Sequence, residues 1–157
     1  MILLNYGDKM IKGDSGLVGF EEEIQIQKVN WGVGRAVTSS TGDRKFSAPS
    51  FSEISLTKGM DKASIDLFVQ ACGGKDPYDA IMTWVDNSGS SIDIYHQIEL
   101  GKAIITSYST SSEGDRPTDS FTLNYKTMLV KYTRYPDSGS PEEISPKGWD
   151  LDTGAQL

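Results

Sequence analysis

The sequence predicts a mainly β fold, an antiparallel β-barrel with one flanking α-helix. Three observations carry that prediction. Apolar residues recur with a period of two in several segments, one short stretch recurs with a helical period, and two strands change phase partway.

Ile24 and Ile26 alternate with Gln25 and Gln27, but beyond them the large residues fall on Val29 and Trp31. A one-residue slip moves every later side chain to the other face, so a β-bulge is expected near Gln27–Lys28. Ile54 and Leu56 alternate with Ser55 and Thr57. Ile92, Ile94, Ile98 and Leu100 share one face of a strand, opposite Asp93, Gln97 and Glu99. Phe121, Leu123 and Tyr125 alternate with Thr122 and Asn124, after which the phase moves to Met128, Val130 and Tyr132. A second bulge is expected near Lys126–Thr127. Bulges bend strands, and bent strands suit a small closed barrel.

The helix is expected between about Asp61 and Cys72. Ile65, Phe68, Val69 and Cys72 stand at i, i+3, i+4 and i+7, one stripe that would dock on the barrel. Asp61 or Ser64 can cap its start, and Gly73-Gly74 offers a left-handed residue at its end. Turns are expected at Asn87–Ser90, at Glu113–Pro117 and around Gly42-Asp43-Arg44, between Val37 and Phe51. The segment Tyr135–Gly148, with Pro136, Pro141 and Pro146, reads as extended and partly mobile, most of all over 136–147. No repeat or second domain is visible, so residues 1–157 read as one domain.

Composition narrows the function. The 157 residues are 37% hydrophobic and 24% charged, as in a soluble globular domain. A net charge of −7 repels phosphate backbones and anionic headgroups, which argues against nucleic acid and membrane insertion. One cysteine permits no disulfide within the chain. The start, Met1–Tyr6, lacks the basic and long apolar regions of a signal peptide.

Candidate chemistry is sparse, and neither catalytic, cofactor nor metal residues are assigned. His96, the only histidine, occupies the apolar phase between Ile94 and Ile98 and reads as a packed residue. Cys72 reads as a small core residue. Glu21-Glu22-Glu23 alternates across a strand start, so the carboxylates would not converge. Gly32-Val33-Gly34 lacks the third glycine of a dinucleotide fingerprint. Glu113-Gly114-Asp115-Arg116 lacks the ligand spacing of a calcium loop.

The order of specific residues goes further. Ile11-Lys12-Gly13-Asp14-Ser15, then Ile24 through Asn30-Trp31-Gly32, resembles the opening of the haemolysin-coregulated protein (Hcp) family of type VI secretion. Ile54–Lys58, Asp61–Ser64 and Ala71-Cys72 are similar to that family's strand-to-helix segment. Asp115–Thr118 with Phe121–Tyr125 resembles its late strand, and Lys147–Asp150 its closing Gly-Trp. The matches run in order from about residue 11 to 150. Asp14 stands where the family commonly has Glu, and the loop Ser39–Ser50 carries Arg44, Lys45 and Phe46 where some relatives are richer in glycine.

The resemblance implies a non-enzymatic tube subunit: a homo-hexameric ring, stacked inside a contractile sheath and tipped by a spike protein. It implies a lumen that holds small effector proteins, and a chain that is cytoplasmic before firing and secreted afterwards. It assigns ring stacking to the loop Ser39–Ser50, with Gly42, Asp43, Arg44, Lys45 and Phe46 at its tip. A tube protein of a phage-like or extracellular contractile injection system shares the architecture, although the Trp31 and Cys72 segments favour type VI. A monomeric β-sandwich binding module is the reading from another class.

Overall fold

In the computed structural model, which describes residues 1–157, strands account for nearly every element. In chain order they are β1 (Ile2–Tyr6), β2 (Ile24–Ile26), β3 (Lys28–Asn30), β4 (Val33–Gly34), β5 (Val37–Ser40), β6 (Asp43–Phe46), β7 (Ser50–Phe51) and β8 (Ile54–Gly59). Helix α1 (Ala63–Gly73) follows, then β9 (Tyr78–Asp86), β10 (Asp93–Ser111), β11 (Thr118–Asn124), β12 (Thr127–Arg134), β13 (Glu142–Asp150) and β14 (Ala155–Gln156).

β10, 19 residues long, is the spine. Its first part pairs with β9 and β12, and its last part pairs with β11. From there one ladder runs β11–β8–β3 and another runs β9–β1–β2, while β12 continues to β13 and β14. All these pairs are antiparallel. The strands form open sheets, not the closed barrel expected from the phase changes. The reason lies at the irregularities. At Gln27 the chain leaves the β1 ladder, its N–H donates to Thr57 O at 2.8 Å, and β3 begins against β8. β10 shifts register between Leu100 and Ala103, where Lys102 takes a left-handed φ of 52°, and again between Ile105 and Ser107. A bulge there interrupts the ladder as it bends the strand, so the turn from one sheet to the other is made by the chain. The phase change near Lys126 is likewise a break, between β11 and β12, with Tyr125 and Met128 both buried.

Between the sheets lies one cluster of 19 buried residues, including Tyr6, Ile24, Ile54, Leu56, Leu67, Met82, Ile98, Leu100, Phe121 and Leu123. The alternation seen in the sequence is the burial alternation here: β8 buries Ile54, Leu56 and Lys58, and β11 buries Asp119, Phe121 and Leu123.

α1 differs from expectation in its orientation. It docks through Ala63, Ser64 and Leu67, and the stripe Ile65, Phe68, Val69 and Cys72 faces solvent. Its ends also differ. Asp61 Oδ1 accepts the Ala63 N–H at 2.9 Å, but the N-cap position itself is Lys62. Gly74 ends the helix in an extended conformation, φ −65°, without a left-handed residue. Within the proline-bearing tail, Glu142–Asp150 is a strand on β12, with a register shift opposite Val130–Tyr132 that accommodates Pro146, which has no N–H to give.

Candidate assembly surfaces

The segment read as the loop Ser39–Ser50 is largely a β-hairpin. β5 and β6 pair from Val37↔Phe46 to Ser40↔Asp43 around the two-residue turn Thr41-Gly42. Both turn residues are left-handed, φ 25° and 94°, the arrangement whose twist matches a two-residue hairpin. Gly42 meets this need without strain. Gly42, Asp43, Arg44, Lys45 and Phe46 therefore occupy the turn and the returning strand. All eight strand residues are exposed and pair only with each other. The Arg35 guanidinium lies 4.3 Å from the Phe46 ring centre, a cation–π contact that stiffens the base. The Ala36 and Ser47 backbones join below it, Ser47 N–H donating to Ala36 O at 2.9 Å.

A second surface is the outward stripe of α1. Ile65 is 72% exposed, Phe68 53% and Val69 54%. Only Phe68 has an aromatic neighbour, the Tyr108 ring edge-on at 6.2 Å. Cys72, expected in the core, lies on this exposed stripe because the helix is turned about its axis.

What turns the helix is a buried polar cluster that periodicity did not flag. Lys58 Nζ donates to Asp61 Oδ1 at 2.7 Å, to Ser64 Oγ at 2.9 Å and to Asp119 Oδ2 at 3.1 Å. Asp119 also accepts from Ser64, Thr110 and Tyr108. Burial pushes the Asp119 carboxyl up, but these donors outweigh it and hold it below its ordinary value. Each charge has its partners, as a buried ion must. A serine and a lysine within hydrogen-bond reach could suggest a nucleophile and its base. However, Lys58 and Asp119 have no solvent exposure and Ser64 has 2%, so no substrate reaches them. The signal was present in the sequence: Lys58 continues the inward phase of Ile54 and Leu56, and Asp119 that of Phe121 and Leu123.

A third surface is a recess at the hairpin between β9 and β10. Asp86, Asp93, Tyr95, Tyr132, Thr133 and Tyr135 line it. Tyr135 Oη donates to Ile94 O at 3.0 Å, which fixes that ring.

The remaining candidates separate. His96 packs against Trp84, ring centres 4.4 Å apart, with Nδ1 2.9 Å from Lys131 O. Glu21 accepts from Gly19 N–H, Glu22 pairs with Lys12 at 2.9 Å, and Glu23 turns inward. Asn5 donates weakly to Glu23 Oε1 at 3.4 Å, while Oε2 has no partner, and burial pushes this carboxyl up. No group of three or more His, Cys, Asp or Glu side chains is placed to hold a metal ion.

Residues 3–132 match the family model described as type VI secretion system effector, Hcp. No curated protein matches the chain. Among solved structures, one titled a type six secretion system protein aligns with a TM-score of 0.88 at 21% identity, over 99% of this chain and 98% of that one. Hcp1 from Salmonella typhimurium aligns at 0.77 and 18% identity, over 99% and 98% of the two chains. A type VI secretion system effector from Yersinia pestis aligns at 0.72 and 20% identity, over 96% and 99%.

Proposed function

The chain belongs to the Hcp family of type VI secretion system proteins, and from that premise we propose that it is the repeating subunit of a hexameric ring whose stacked copies form the secretion tube. The observation that carries this reading is the outward stripe of α1. A monomeric soluble domain gains nothing from placing Ile65, Phe68 and Val69 in water, whereas a ring subunit covers such a stripe where its heterologous contacts close by rotation. The hairpin β5–β6 supports the same reading, because its strands pair only with each other and every strand residue is exposed. We assign Gly42–Phe46 on that hairpin to contact between rings.

The function needs no chemistry from the subunit. Its work is shape: a contractile sheath outside drives the tube, a spike protein tips it, and small effector proteins ride in the lumen. On this reading the subunit is made in the cytoplasm and leaves the cell when the apparatus fires. Size-exclusion chromatography with light scattering tests it. The expected mass is six times the 17.2 kDa of one chain. A monomer at micromolar concentration overturns the ring.

A further inference from the structure

We propose that the cationic tip of hairpin β5–β6 docks in the aromatic–acidic recess between β9, β10 and β12 of a second copy, in the next ring. The proposal rests on the ring-stacking reading and names the two halves of the contact.

The hairpin is a knob without a socket of its own. Arg44 and Lys45 outnumber Asp43 on it, with Arg35 at its base, in a chain whose net charge is −7. Its strands hydrogen-bond only to each other, and its left-handed turn and the Arg35–Phe46 contact hold it in one shape before anything binds. Little ordering is left to do on docking.

The recess has the complementary chemistry. Asp86 Oδ1 is held by the Ser88 N–H and hydroxyl at 2.9 and 2.7 Å, and Asp93 Oδ1 by the Ser91 hydroxyl at 3.0 Å. The Oδ2 atom of each is left without a protein donor. Tyr95, Tyr132 and Tyr135 are all exposed beside them, and tyrosine faces attract a guanidinium or ammonium. Two cations stand nearby and are engaged: the Met1 ammonium donates to Val85 O at 3.0 Å, and Arg134 lies 3.8 Å from Glu142.

The foot of the hairpin lies away from the recess of its own copy. Just after the hairpin, Ala48, Pro49 and Phe51 line one recess together with Trp149 and Leu151. Trp149 pairs with Met128, at the start of β12, whereas the recess is built on Tyr132 and Thr133, at its end. Met128 and Tyr132 stand four residues apart on β12, roughly 13 Å at ~3.3 Å each. The foot of the hairpin and the docking recess thus lie toward opposite ends of β12. Docking between copies repeats the contact head to tail, which is the geometry of an open stack.

Cysteine pairing tests it in the full-length protein. Lys45→Cys and Thr133→Cys are placed together in a Cys72→Ser background and oxidised under conditions where the wild type forms tubes seen by electron microscopy. A denaturing gel is expected to show a ladder of linked chains, and each single-cysteine variant at most dimers. Arg44→Glu with Lys45→Glu is expected to lower tube yield about tenfold or more, and adding Asp86→Lys with Asp93→Lys to restore it. Tubes without a ladder, or charge reversals without effect, overturn this docking and leave ring stacking standing. Rings that never stack, in the wild type included, overturn the stacking reading and the docking with it.

Discussion

Lys58 and Asp119 face each other across the β8–β11 ladder with neither side chain exposed, Nζ to Oδ2 at 3.1 Å. The pair also reaches α1, because Ser64 in the first turn donates to Asp119 and accepts from Lys58. One ion pair thereby fixes where the helix starts and which face it turns inward.

Lys58→Met should destabilise the subunit by about 3–5 kcal/mol, because it leaves the Asp119 carboxylate buried without its cation. Lys58→Met with Asp119→Leu should recover much of that loss, since no charge is then stranded. Equilibrium denaturation of the three proteins measures both effects. A Lys58→Met variant within 1 kcal/mol of wild type would remove the cluster's structural role.

The two inward carboxyls oppose each other in pH dependence. Asp119 is held below its ordinary 3.8, so the stability it contributes is present above that value and is lost as pH falls through the lowered one. Glu23 is pushed above its ordinary 4.5, chiefly by burial, so its contribution is present below 4.5 and is lost as pH rises through the raised value. Glu23→Gln should therefore match wild type in melting temperature near pH 4 and exceed it at pH 7. Thermal melts across that range decide it, and equal melting temperatures at pH 7 would show that the unpartnered Oε2 carries no penalty.

The β class was legible because strands that bury one face write a period of two, and Gln27 was legible because a break in phase has no other cheap cause. Closure was not legible. Alternation reports which face is inward, and nothing in it says whether Gln27 and Lys102 curve a continuous ladder or interrupt one. The helix was found but turned the wrong way. Four of its apolar residues, Ile65, Phe68, Val69 and Cys72, make a stripe that in an isolated domain would face the core. Here Ala63 and Leu67 fill that place, since Lys58 and Asp119 hold Ser64 inward. Hairpin β5–β6 escaped notice as strands because all its strand residues are exposed and it has no apolar face to alternate.

The orientation of α1 makes a separable prediction. Leu67→Ala should cost about 2–5 kcal/mol, as a fully buried leucine does. Val69→Asp, on the outward stripe, should change subunit stability by no more than about 0.5 kcal/mol. Light scattering should nevertheless show a smaller fraction of rings for Val69→Asp, because a carboxylate in an apolar interface has no partner. Rings at full yield would place the subunit seam elsewhere.

The hairpin can be removed without cutting into the fold. Its ladder is self-contained, and at its base Ala36 and Ser47 already bond twice: Ser47 N–H donates to Ala36 O at 2.9 Å, and Ala36 N–H to Ser47 Oγ at 2.7 Å. Replacing residues 37–46 with Asn-Gly, a sequence that forms a two-residue turn, keeps those ends where they are. The core loses no buried residue, because all eight strand residues are exposed. The expected melting temperature is within a few degrees of wild type, since exposed deletions of this kind cost little. Rings should persist, because the outward stripe of α1 is untouched. Tube growth and export should fail, because each interface between rings loses its knob at every subunit. A tip contact weak in one copy is repeated around the ring, so losing all of them at once removes a combined attraction that no single contact supplies. Electron microscopy of the purified protein and a secretion assay read the two outcomes. Tubes of wild-type length from the shortened protein would show that stacking runs through another surface.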